Sequence, residues 1–90
     1  FNRAPRTMNI YHISQTVNTD YDTYDAAVVC APDEETARNM DPSSGGPMLW
    51  GRYVPFWSWC SSPSDVRVRY LGPADPSVKP GLVLASFNAS

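Results

Sequence analysis

A-A-V-V-C-A, residues 26–31, is a run of six apolar residues with no polar alternation. A short continuous apolar run reads as a strand covered on both faces, or as a central strand with a small-residue face. We take it as the centre of a sheet, and its alanines leave room for a helix to approach. That helix follows directly. Pro32 to Met40, P-D-E-E-T-A-R-N-M, offers Asp33 as N-cap and puts Glu34 and Glu35 in the first turn, where the helix dipole favours negative charge. Ala37 and Met40 are three apart and face the sheet together. Asp41-Pro42 stops the helix, because a residue before proline avoids the α region. Two turns do not stand alone in water, so this helix exists by docking on the sheet. Its charges read as a solvated outer face.

Upstream, Met8 to Val17, M-N-I-Y-H-I-S-Q-T-V, reads as the first strand, rich in β-branched and aromatic residues. Alternation puts His12 on one face with Ile10 and Ser14. Asn18 to Asp25, N-T-D-Y-D-T-Y-D, reads as a turn and the start of the second strand. Downstream, Asp41 to Pro47 is a loop by composition. Ser62, Pro63 and Asp65 make a single capped turn. Val66 to Leu71 alternates strictly, with Val66, Val68 and Tyr70 on one side and Arg67 and Arg69 on the other. Gly72 to Gly81 is a connecting loop, and Leu82 to Phe87 is a fourth strand, apolar along its length.

The order strand, strand, helix, aromatic insertion, strand, strand predicts an α+β domain. Its expected form is a mostly antiparallel four-stranded sheet with one short helix on one face. Residues 8–90 form that single domain; residues 1–7 precede the first methionine and are expected to be a disordered lead, a cloning remnant or upstream translated sequence. The second face of the sheet also needs cover, because the second and fourth strands are apolar on both sides. The aromatic insertion or a partner subunit is expected to supply it.

Composition argues against several classes. Seven Lys and Arg stand against nine Asp and Glu, so the chain lacks the basic footprint that nucleic acid requires. No apolar stretch approaches the roughly 18 residues of a membrane span. Two cysteines, Cys30 and Cys60, make neither a disulfide framework nor a zinc set. The expected setting is the reducing cytoplasm, with both thiols free, and a Cys30–Cys60 bridge is the alternative. His12 is the only histidine. Asp20, Asp22 and Asp25 suggest a cation loop, but Asp25 stands where an EF-hand needs glycine and Ala31 where it needs glutamate. No phosphate loop, nucleophile elbow or dinucleotide fingerprint is present. Neither cofactor nor metal is expected.

The chain from Met8 to Ala89 resembles a type of small protein carried by phages, prophages and other mobile elements. The resemblance rests on Y-D-T-Y-D (21–25), V-V (28–29), D-E-E-T-A-R (33–38), S-P (62–63), L-G (71–72) and G-L-V-L-A-S-F-N-A (81–89). It implies a stand-alone cytoplasmic accessory protein that acts by binding, and it brings no catalytic residue.

Trp50 to Cys60, W-G-R-Y-V-P-F-W-S-W-C, holds all three tryptophans. In one reading these rings are core, closing the open sheet face. In the other they meet a partner, since Trp, Tyr and Arg dominate interface hot spots. Both hold together if Trp57 and Trp59 point inward while Trp50, Tyr53 or Phe56 point outward. The candidate binding residues are therefore Trp50, Arg52, Tyr53, Phe56, Trp57 and Trp59, with the cationic Arg67 and Arg69. The first function expected is a self-associating protein-interaction module, a homodimer or higher homo-oligomer, with a host protein as another partner. The second is a binder of a small nucleotide-type ligand, using stacked rings and arginines. An enzyme built on His12 and the Asp20–Asp25 loop comes third.

Overall fold

The computed structural model describes residues 8–18, 23–50, 59, 60 and 62–88, with side chains up to residue 86. Four strands and one helix follow in the expected order: β1 Asn9–Ser14, β2 Thr23–Ala31, α1 Glu34–Arg38, β3 Arg67–Pro73 and β4 Gly81–Asn88. A 3-10 turn at Pro63–Asp65 leads into β3. The sheet order is β3-β1-β2-β4, with every neighbouring pair antiparallel. The domain is α+β, with its short helix packed on one face.

β1 is shorter than the sequence suggests, because Gln15 ends it. Its buried side chain accepts the backbone N–H groups of Val17 and Asn18 at 2.9 and 2.8 Å. It also donates to the carbonyls of Asn18 and Tyr24 at 2.7 and 3.0 Å. One amide thus satisfies four backbone groups at the end of the β1–β2 pair. β2 begins at Thr23, inside the stretch read as the start of the second strand. Asp25 is the extra residue of a bulge against β4 between Tyr24 and Ala26, while its carbonyl accepts the Gln15 N–H at 3.1 Å.

The helix is five residues long; it starts at Glu34, as the Asp33 cap predicts, and ends at Arg38, short of the expected Met40. Asp33 caps it, accepting the N–H of Thr36 at 2.8 Å. Met40 leaves the helix to bridge Pro47, and Met48 donates its N–H to the Asn39 carbonyl at 2.7 Å. Arg38 is not merely a solvated charge. Its guanidinium donates to the carbonyls of Pro63 and Val66 and pairs with Glu34 at 3.1 Å, tying the helix to the chain that enters β3.

The core lies on the helix side of the sheet. Tyr11 and Ile13 of β1, Ala27, Val29 and Ala31 of β2, and Ala37, Met40, Trp59, Cys60 and Val66 form one buried cluster. Tyr70 stacks edge-on against Tyr11, with centroids 5.7 Å apart, so the exposed end of β3 still leans on this face. β3 and β4 are joined by residues 74–80, which cross one end of the sheet from edge to edge. Asp75 accepts the N–H and hydroxyl of Ser77 at 2.8 and 2.7 Å in that connection, which holds its carboxyl below the usual range.

Candidate functional site

The aromatic stretch is described only at its ends. Trp50 is half-buried against the core and donates its indole N–H to the Asn39 side chain at 2.8 Å. Trp59 is 1 % exposed, and its indole N–H has no hydrogen-bond partner among the described residues. Cys60 is buried beside it. Arg52, Tyr53, Phe56 and Trp57 lie outside the described residues. Both described ends therefore build the wall on the helix side, where α1 already packs, and neither covers the second face. The reading in which the rings close the open face does not hold for these two, and Trp50, which points outward in the divided reading, is instead half-buried against the core. A helix of five residues covers too little of a four-stranded sheet, so the rings complete its side first.

Arg67 and Arg69 are exposed, as the alternation of β3 requires. They lie on the face opposite Trp50 and Trp59. The structure thus splits the sequence-derived site in two, with two of its rings in the wall and its two described cations on the open face.

Register makes the open face explicit. One row across the strands runs Arg69, His12, Val28, Leu84, and the next runs Arg67, Ser14, Ala26, Ser86. With strands roughly 4.8 Å apart, each row spans about 14 Å from the cationic edge to the apolar one. His12, Ala26, Val28, Leu84 and Ser86 line a shallow apolar groove of ≈ 320 Å³. No carboxylate and no aromatic ring other than His12 stands in either row. Arg67, Arg69 and His12 make no hydrogen bond or ion pair through their side chains among the described residues. His12 was readable as a strand histidine sharing a face with Ile10 and Ser14, and the register bears this out. That the described residues leave this face uncovered agrees with the apolar character of both parities of β4.

The two sheet edges differ. β3 carries Arg67 and Arg69 and ends in Gly72-Pro73, features that discourage pairing with another strand. β4, G-L-V-L-A-S-F-N, has no charge and no proline. Leu82, Val83 and Leu84 are 37 %, 50 % and 66 % exposed. Val83 is the extra residue of a bulge against Val28 and Val29. Near its start β4 is approached by the Asp41–Pro47 loop, where a Cβ on Gly45 would stand 2.5 Å from the Leu82 nitrogen. Beyond Leu82, the backbone of β4 bonds only to β2 among the described residues.

Both thiols are free and buried. Burial pushes both up in pKa. Cys60 donates to the Ser62 carbonyl at 3.5 Å, and Cys30 lies under the chain near Val78. No group of three metal-ligating side chains occurs among the described residues, and Asp20 and Asp22 fall outside them. No helix among the described residues is long and apolar enough to cross a membrane. No protein-family model, no curated protein and no solved structure matches the chain.

Proposed function

We propose that this chain is a self-associating protein-interaction module, and that its second copy pairs with it through β4. The observation that carries this reading is the contrast between edges: β3 is charged and ends in proline, whereas β4 is uncharged, with three large apolar side chains exposed in sequence. An unpaired strand edge is a row of free N–H and C=O groups, a template for another strand. Two copies of one strand related by a twofold axis pair antiparallel, and each edge meets its own image. The result is a continuous eight-stranded sheet, β3-β1-β2-β4 followed by its reverse. A second copy has the right chemistry for this edge because neither strand brings a charge to the joint. This role, a small accessory protein acting by binding, fits the mobile-element type that the sequence resembles.

Amide hydrogen exchange tests the pairing directly. Outward-facing N–H groups between Val83 and Phe87 are expected to exchange slowly at high protein concentration and rapidly on dilution. Exchange in β4 that is independent of concentration would sink the reading.

A further inference from the structure

The open sheet face carries a second property that dimerisation through an edge does not use. Its two cross-strand rows grade from cations to hydrocarbon: Arg67 and Arg69 at one side, His12 and Ser14 next, Ala26 and Val28 beyond, and Leu84 at the far side. The arginines have no acidic partner among the described residues, and Leu84 is 66 % exposed beside the groove it lines. We propose that this face is a binding site for a small amphipathic anion, with one carboxylate or sulfonate head and a hydrocarbon body.

The argument is one of complementarity. A planar guanidinium binds a carboxylate through paired N–H donors, and Arg67 and Arg69 project from the same side of β3, two residues apart. The imidazole of His12 pairs in register with Arg69 and is a polar group at the head of the groove. Small side chains at Ala26 and Ser86 leave the depression between Val28 and Leu84 into which a chain can lie. Its volume, ≈ 320 Å³, is at the lower end of the roughly 300–1,000 Å³ usual for small-molecule sites. The rows contain no Phe, Tyr or Trp to stack a nucleobase, so the nucleotide-type ligand suggested by the aromatic stretch does not fit this face. The ligand lies across the strands, head at β3 and tail towards β4.

Three eight-carbon probes test this: octanoate, 1-octanol and octylammonium, each titrated into isotope-labelled protein below its aggregation limit. Octanoate is expected to shift the amide resonances of His12, Val28, Arg69 and Leu84 with saturation. Octanol and octylammonium are expected to bind at least tenfold more weakly. Arg67→Gln with Arg69→Gln, both exposed and therefore tolerated by the fold, is expected to weaken octanoate at least tenfold while resonance dispersion is kept. Equal binding of all three probes would reduce the face to an unspecific apolar patch and overturn the proposal. So would shifts clustered instead around Trp50 and Trp59. The site belongs to one copy, so Val83→Lys at the β4 edge is expected to leave octanoate affinity unchanged. Its loss in that variant would locate the site at the joint between copies and contradict a site within one sheet face.

Discussion

At the scale of single residues, stability rests on side chains that do more than their type suggests. A domain of this length has a net stability of roughly 5–13 kcal/mol. Trp59 is buried and central to the cluster, so Trp59→Ala should cost about 3–5 kcal/mol and bring the domain close to unfolding, read as the denaturant midpoint. Arg38 donates to the Pro63 and Val66 carbonyls, the first of which also accepts the Val66 N–H that closes the 3-10 turn. Charge-assisted bonds of this kind are worth roughly 1.5–3 kcal/mol each before solvent exposure weakens them. Arg38 is part-exposed, so Arg38→Ala is expected to cost about 1–2 kcal/mol, a melting shift of several degrees. The cysteines give a dependence on pH. Both have folded pKa values raised by burial. The unfolded chain therefore releases thiol protons at a lower pH than the folded one. Stability is fully present below the unfolded thiol range, about 8.5, and is lost as pH rises through it towards the folded values. Melting temperature should be level near neutrality and fall above about pH 8.5. Replacing both thiols by alanine should remove that part of the fall.

At the scale of elements, several features were legible because they rest on local chemistry. The Asp33 cap, the turn opened by Ser62 and Pro63, the alternation of β3 and the apolar β4 all follow from neighbours in the chain. What was not legible depends on contacts far apart in sequence. Gln15 ends β1 by bonding Tyr24, and no periodicity marks a glutamine for that task. The bulges at Asp25 and Val83 are set by the register between β2 and β4. Gly45 is a further case. Its φ of 78° and the nearness of the Leu82 backbone together require glycine. Gly45→Ala would meet both a left-handed backbone and a clash with the Leu82 nitrogen, so we expect a loss of about 1–3 kcal/mol in thermal or chemical unfolding. Gly46→Ala, which meets only the Ser44 hydroxyl at 3.5 Å, is its control and should change little.

At the scale of the whole molecule, the described residues finish one face of the sheet and leave the other uncovered. The helix, Met40, Trp50, Trp59 and Val66 complete the first. The sequence argued correctly that one short helix leaves the sheet short of cover, but an insertion contiguous in sequence does not announce which face it joins. Two of its three tryptophans joined the helix. The candidate site was therefore half legible. Arg67 and Arg69 were found through strict alternation. Leu84 and His12 became site residues only once register laid them in one row. Among the described residues the β4 edge has no neighbouring strand, and on the proposed reading its lack of charge serves pairing with a second copy. A contact along one short strand is smaller than the roughly 1,200–2,000 Å² of stable interfaces, so the dimer should be reversible and concentration-dependent. Sedimentation equilibrium across a wide range of protein concentration, on the native chain and on Val83→Lys, tests this most directly. We expect a monomer–dimer equilibrium for the native chain and a monomer at every concentration for the variant, with unchanged circular dichroism. A native chain that stays monomeric throughout, or a variant that dimerises as well as the native chain, would contradict the account.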